Sequence, residues 1–163
     1  MVIFAGVVVV VLVIIWLGVV VIGPPYVPTL KSDLEQLFAE LQLGPKHRFV
    51  DLGSGDGRVL VMAKKRGVKT SGVEINPFLV GIANFRLRGS KSSVTLGDMW
   101  QYRLPDDTTH VFVFPAEMFM HKLEKYLVAQ RSHTGALQVM LYGFKFAGRK
   151  PEKTVGAFNL YKF

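Results

Sequence analysis

No cysteine occurs in the 163 residues, which removes disulfides, thiolate metal sites and thiolate nucleophiles from consideration. No lysine or arginine precedes Lys31, so all twenty, and the whole formal charge of +8, lie from that residue onward. Residues 2–22 contain no charged or strongly polar side chain at all. A helix of that length, at ~1.5 Å rise per residue, would cross a ~30 Å hydrocarbon core. The basic n-region, the short h-region and the small-x-small site of a cleavable signal peptide are all missing. A buried Val/Ile-rich helix or strand is the alternative, but a segment with no polar face leaves a soluble fold nowhere to direct it. The expectation is a single-pass membrane anchor over residues 1–23. Lys31, Lys46 and Arg48 lie only on its C-terminal side, which favours a domain facing the cytoplasm, or the matrix in a mitochondrion. A basic surface suits anionic lipid or acidic partners, and equally a solvated face that keeps the chain in solution.

Gly23-Pro24-Pro25-Tyr26-Val27-Pro28 ends the apolar run, because proline lacks an amide proton and pushes the preceding residue toward extended geometry. Ser32, followed three residues later by Glu35, has the spacing of a capping box, and Leu34, Leu37, Phe38 and Leu41 recur at helical intervals. This predicts a helix to about residue 43, stopped by Gly44-Pro45. Strands over 48–52, 70–74 and 93–96 then alternate with helices over 59–66 and 78–88, the pattern of a parallel sheet. A fourth strand is expected over 110–114, a helix over 117–130 and a fifth strand over 136–142. The segments 154–157 and 158–163 are too close together for a helical crossover and predict an antiparallel hairpin at the sheet edge. The fold class is thus α/β, a Rossmann-like doubly wound sheet, mostly parallel, behind one transmembrane helix. The division is 1–23 anchor, 24–30 linker and lid, 31–163 a single domain.

Ligands of open parallel sheets bind beyond the carboxyl ends of the strands. Three of those ends carry acids: Asp51, Glu74 and, two residues beyond the third strand, Asp98. Between the first strand and its helix runs Asp51-Leu52-Gly53-Ser54-Gly55-Asp56-Gly57, whose glycines permit a tight turn and close approach to a ligand. A dinucleotide fingerprint would need glycine at 58, which is Arg58, and pyrophosphate beside Asp51 and Asp56 would meet like charge. A ligand carrying a sulfonium and a free ammonium would instead be stabilised by carboxylates. Glu74 follows Asp51 by 23 residues, near the ~20-residue interval at which a strand-tip acid takes ribose hydroxyls. Asp98 is placed to accept from an adenine amine, and Asn76, Pro77 and Phe78 to wall the ring. Each of these residues taken singly also suits a cap or turn.

On these residues the chain resembles the class I, seven-β-strand methyltransferases. It is most similar to the small membrane-associated protein lysine methyltransferases of the ATP synthase c subunit and adenine nucleotide translocase, with their prokaryotic relatives. The resemblance rests on Pro25 to Thr29, Val50 to Arg58, Gly72-Val73-Glu74-Ile75-Asn76-Pro77, Gly97-Asp98-Met99-Trp100 and Phe114-Pro115, and covers most of residues 24–163. It implies S-adenosylmethionine as cofactor, with Tyr26, Val27, Pro28 and Thr29 as a lid. It implies that Asp51, Gly53 and Gly55 hold the methionine end, Glu74 the ribose, and Asp98 and Met99 the adenine, with Leu52, Ile75 and Asn76 also at the cofactor. Phe114, Pro115 and Trp100 would line the slot for a lysine side chain of a membrane-associated protein substrate. At the fourth strand tip, Asp or Asn followed by Pro-Pro-Tyr is absent, which disfavours amide or nucleobase nitrogen as acceptor.

Transfer from a sulfonium needs positioning more than acid catalysis, and the amine must first lose a proton. Burial among Tyr26, Phe114 and Trp100 would lower an ammonium from its usual value near 10.4; Tyr26 is the candidate catalytic residue. His47, His110, His121 and His133 lack metal-ligand spacing, so no metal is expected. Lys64-Lys65-Arg66 closes a helix, where cations favour the dipole, and calls for no nucleic acid. Lys145, Arg149, Lys150 and Lys153 read as a solvated loop. A small-molecule or lipid methyltransferase, or a non-catalytic module keeping the fold, are the alternative functions.

Overall fold

The computed structural model describes Gly6, Val7, Val10 and residues 27–163. The expected anchor therefore lies outside the described residues except for those three, which are helical; among the described residues no helix is long and apolar enough to cross a membrane. The elements are α1 (Lys31–Glu40), β1 (Arg48–Leu52), α2 (Arg58–Lys64), β2 (Lys69–Glu74), α3 (Pro77–Leu87), β3 (Ser93–Leu96) and β4 (His110–Val113). A 3-10 turn (Glu117–Phe119) leads into α4 (Met120–Thr134), followed by β5 (Gln138–Tyr142), β6 (Lys153–Val155) and β7 (Phe158–Lys162).

The seven strands form one sheet in the order β3-β2-β1-β4-β5-β7-β6. β1 pairs in parallel with β2 and β4, β2 with β3, and β4 with β5, while β7 runs antiparallel between β5 and β6. This is a Rossmann-like, mostly parallel sheet with an antiparallel hairpin at its edge. The strand order reverses between β1 and β4, and such a switch point opens a crevice above the strand tips.

Strand periodicity divides the core between the two faces. Phe49, Phe112, Met140 and Phe158 pack with Leu34, Leu37 and Phe38 of α1, Leu60 and Ala63 of α2, and Ala83 and Leu87 of α3. Val50, Leu52, Val111, Val113, Val139 and Leu141 pack with Leu123 and Leu127 of α4 and with Tyr161.

Three local expectations are corrected. Ser32 does not cap α1: the helix begins at Lys31 after an extended Leu30 that offers no side-chain cap. The Ser32 hydroxyl turns to Asp33 (3.3 Å), and Glu35 pairs with Lys31 (3.4 Å). The helix ends at Glu40, ahead of Gly44-Pro45, because Leu41 takes extended backbone and is buried. The helix expected over 117–130 opens as a 3-10 turn and continues to Thr134, where Gly135 at φ +79° ends it.

His110 starts β4 buried, edge-on to His47 (ring centroids 5.1 Å). Burial, then the charge of His47, lowers it from 6.5 to about 4. The folded state thus binds its proton less readily than the unfolded chain. The contribution is present above pH 6.5 and lost as pH falls toward 4, roughly 3 kcal/mol at most. Denaturant midpoints measured at pH 7 and pH 4.5 are expected to separate accordingly, and the separation to shrink in His110→Gln.

Candidate active site

The β1–α2 loop folds back onto β2. Gly53, Gly55 and Gly57 adopt φ of +78°, +53° and +76°, a region that costs residues with a Cβ about 1–2 kcal/mol. The amides of Gly53 and Ser54 both donate to the Val73 carbonyl (2.9 and 3.0 Å). Gly57 also lies against α3, and a Cβ there would stand 2.9 Å from that of Ala83.

Glu74, buried at the tip of β2, fastens this loop. Its Oε2 accepts the Gly55 amide and its Oε1 the Asn76 amide, both at 2.9 Å. The Glu74 carbonyl accepts from Gly97 at 3.0 Å, which links the β3 tip to the same point. Asp98 Oδ1 accepts the Trp100 amide at 3.0 Å. Each carboxylate oxygen has further lone pairs, so both residues can accept from a ligand as well. The side chain of Asn76 is spent as the cap of α3, accepting from Phe78 (2.9 Å) and Leu79 (3.4 Å).

Asp51 differs from the others. It is 1% exposed, and neither of its carboxylate oxygens has a hydrogen-bond partner among the described residues. Burial first, then the charges of Glu74 and Asp56, push its carboxyl well above the ordinary carboxylate range. A buried acid left without donors is costly in isolation, and a cationic ligand would meet that deficit. Ser54 Oγ is likewise buried and unpartnered among the described residues. Asp56 has the opposite environment. Burial raises it, but hydrogen bonds from Arg58 and Arg86 outweigh burial and hold it at about 2. Arg58 reaches it through Nε (3.0 Å) and a terminal nitrogen (2.9 Å), and Arg86 joins from α3. Asp56 is thereby paired with two guanidinium groups, whereas no hydrogen-bond partner stands beside Asp51 among the described residues.

These residues surround one cavity of about 460 Å³, within the roughly 300–1,000 Å³ of small-molecule clefts. Val27, Pro28, Thr29, Asp51, Leu52, Gly53, Gly55, Glu74, Ile75, Asn76, Asp98, Met99, Trp100, Phe114 and Pro115 all line it. Thr29 is buried and its carbonyl accepts from Arg58 (3.3 Å), which draws the segment before α1 over the loop. Tyr26 lies outside the described residues. Pro77 and Phe78 are not part of the wall: Phe78 is 56% exposed, and Ile75, Asn76 and Leu79 line the cavity there.

Phe112, Ala116, Phe119 and Phe144 also line the cavity, four residues that sequence reasoning misses. Phe112 reads as a core strand residue and Phe119 as part of a helix. Phe144 has a usable signal, because it follows the tip of β5 on the same rim as the other strand ends. Just beyond β4, Phe114 meets Tyr142 edge to face (4.7 Å, 82°), and the Tyr142 hydroxyl donates to Asp33 (2.6 Å). Trp100 is held between Phe119 (5.7 Å), Tyr126 (6.3 Å) and the ammonium of Lys122 (4.3 Å over its ring). Among the described residues no three His, Asp or Glu side chains are arranged to hold a metal ion.

The family model described as the ANTKMT methyltransferase domain matches residues 51–153, well over half of the chain. The chain belongs to this family. The lysine N-methyltransferase of the ATP synthase c subunit from Rattus norvegicus is 32% identical over 139 residues, 81% of this chain and 61% of that protein. The adenine nucleotide translocase lysine N-methyltransferase of Mus musculus is 36% identical over 111 residues, 65% of this chain and 48% of that protein. The chain therefore spans about half to three fifths of these relatives. Among solved structures, an RNA methyltransferase from Salinibacter ruber in complex with S-adenosyl-L-homocysteine superposes with a TM-score of 0.73 at 24% identity, covering 84% of this chain and 92% of that one. That likeness is one of fold.

Proposed function

We propose that this domain is an S-adenosylmethionine-dependent protein-lysine N-methyltransferase, held at a membrane by its N-terminal apolar run and acting on a membrane or membrane-proximal protein. The observation that carries the cofactor reading is the buried, unpartnered Asp51 in a cavity whose acids Glu74 and Asp98 are already committed to amides. Family membership and the lysine methyltransferases among its relatives support the choice of acceptor.

Asp51 would hold the methionine end, with Gly53 and Gly55 allowing its close approach, Glu74 the ribose hydroxyls and Asp98 the adenine amine. Val27, Pro28 and Thr29, with Tyr26, would close over the ligand. When bound, S-adenosylmethionine supplies a methyl group on a sulfonium, already an excellent leaving group. The chain's own contribution is orientation and desolvation. Phe114, Pro115, Phe119, Phe144 and Trp100 form an apolar slot in which a lysine ammonium loses solvation and hence basicity. Tyr142 is no base: burial and its bond to Asp33 raise it above its ordinary value. A proton leaving the amine goes to water, or to Tyr26 when its phenol is ionised.

Asp51→Asn separates binding from stability. A raised acid costs the empty fold stability above its unfolded pKa, so the neutral amide is expected to raise Tm by a few degrees. The same substitution is expected to weaken S-adenosylmethionine about tenfold or more in calorimetry, since a charge-assisted contact is lost. Unchanged affinity would remove Asp51 from the site.

The acceptor is tested by incubating the protein with labelled S-adenosylmethionine and membrane extract, then separating protein, lipid and small solutes. Label is expected in protein. Label confined to lipid or small solutes would replace the lysine reading with the alternative of a lipid or small-molecule methyltransferase.

A further inference from the structure

Helix α3, Pro-Phe-Leu-Val-Gly-Ile-Ala-Asn-Phe-Arg-Leu, is apolar nearly all round. Ala83 and Leu87 bury inward against the sheet, yet Phe78, Ile82 and Phe85 remain 56%, 45% and 64% exposed. Their spacing of four and three residues places them in one stripe along the outer surface of the helix. Two aromatics and an isoleucine in line on the outside of a domain this size form a patch that calls for an occupant.

Charge indicates which occupant. The stripe ends in cations: the Arg88 guanidinium lies 4.2 Å from the centroid of the Phe85 ring, and Arg88 and Lys91 are exposed. Of the twelve Asp and Glu residues in the chain, none falls within residues 77–97. Apolar side chains along a helix with basic side chains at its end match the boundary of an anionic bilayer, where rings enter the acyl region and guanidinium or ammonium groups meet phosphate.

The connection between the apolar run and the domain is short. The apolar run ends at Ile22 and the described domain begins at Val27. Five residues span at most roughly 18 Å when fully extended. Val27 and Leu30, which continue into α1, are themselves exposed apolar side chains.

We propose that the outer face of α3, through Phe78, Ile82 and Phe85 with Arg88 and Lys91, is a bilayer-docking surface that lies in the headgroup boundary of an anionic membrane. The N-terminus of α3 joins Ile75 and Asn76 of the cavity wall, so seating this face fixes the cavity relative to the membrane plane. The docking rests on the membrane reading under the proposed function and deepens it, and its test reads position rather than methyl transfer.

Because the chain has no cysteine, a single label reports one site. An environment-sensitive thiol dye is attached at Phe85→Cys, at Ile82→Cys in a second protein, and at Ser132→Cys as a control on α4, exposed on the opposite face of the sheet. Each labelled protein is reconstituted into phosphatidylcholine vesicles containing phosphatidylserine, with bromine on the acyl chains as quencher. Emission at 85 and 82 is expected to shift to the blue and to be quenched several-fold more than at 132. The difference is expected to diminish when phosphatidylserine is omitted, or when Arg88 and Lys91 are replaced by Glu. Labels at 85 and 82 that remain as water-exposed as the one at 132 would overturn the proposal. So would labels shielded from water but untouched by brominated lipid, which would mean that protein covers the stripe. Methyl transfer persisting in either case would leave the enzymatic reading standing.

Discussion

Glu74→Ala is expected to weaken S-adenosylmethionine binding by two to three orders of magnitude, on the order of 3–4 kcal/mol. The size follows from the two roles of this carboxylate. It accepts the Gly55 and Asn76 amides, both at 2.9 Å, from a buried position. Removing it leaves two amides without acceptors, at about 1–3 kcal/mol for each buried group left unsatisfied. It also frees the glycine loop from the tip of β2, so the ligand must order a loop that is now held in advance. Loss of the proposed ribose contact adds to both. Glu74→Gln sharpens the test. It retains one acceptor and turns its carboxamide NH2, a donor, toward the other backbone N–H, so it too is expected to bind weakly. Calorimetry measures both variants, and near-normal affinity in either would mean that Glu74 does not organise the site.

Gly57→Ala is expected to have the largest effect on stability, about 3 kcal/mol, lowering Tm by roughly 10 °C. Two costs combine there. The backbone at φ +76° disfavours a side chain, and the added carbon would stand 2.9 Å from the Ala83 Cβ and 3.1 Å from its Cα. Backbone cannot yield as a flexible side chain would, so α2 and α3 would have to separate. Gly89→Ala isolates the first cost, since Gly89 has φ +71° with nothing within 4 Å of the added carbon; its expected loss is only about 1 kcal/mol. Equal losses in the two variants would show that the α2–α3 contact is not tight.

The contrast between these two glycines, invisible in the sequence, marks the limit of what local pattern discloses. Alternating apolar runs and short connections make the parallel order legible, because burial on both faces and βαβ geometry leave few other arrangements. Acids at strand tips are legible for the same reason: the fold fixes where those tips converge, and Asp51, Glu74 and Asp98 line one cavity. Local patterns mislead where tertiary contacts outweigh them. Ser32 and Glu35 have capping-box spacing, yet Asp33 in the same turn is drawn to Tyr142, 109 residues away, and the helix starts two residues early. The pairing of Asp56 with Arg86 has no local signature, since 30 residues separate them and only the packing of α3 on α2 brings them together. Phe119 lacks any periodic signal. Its place in the cavity depends on how the chain leaves β4, which spacing does not encode.

Lysine as the methyl acceptor is the central claim, and mass spectrometry of membrane proteins co-expressed with the chain tests it most directly. Methylated lysines are expected in at least one membrane or membrane-proximal protein, and they should disappear when Glu74→Ala replaces the native chain. A protein that binds S-adenosylmethionine with normal affinity while every lysine stays unmodified would contradict lysine methylation.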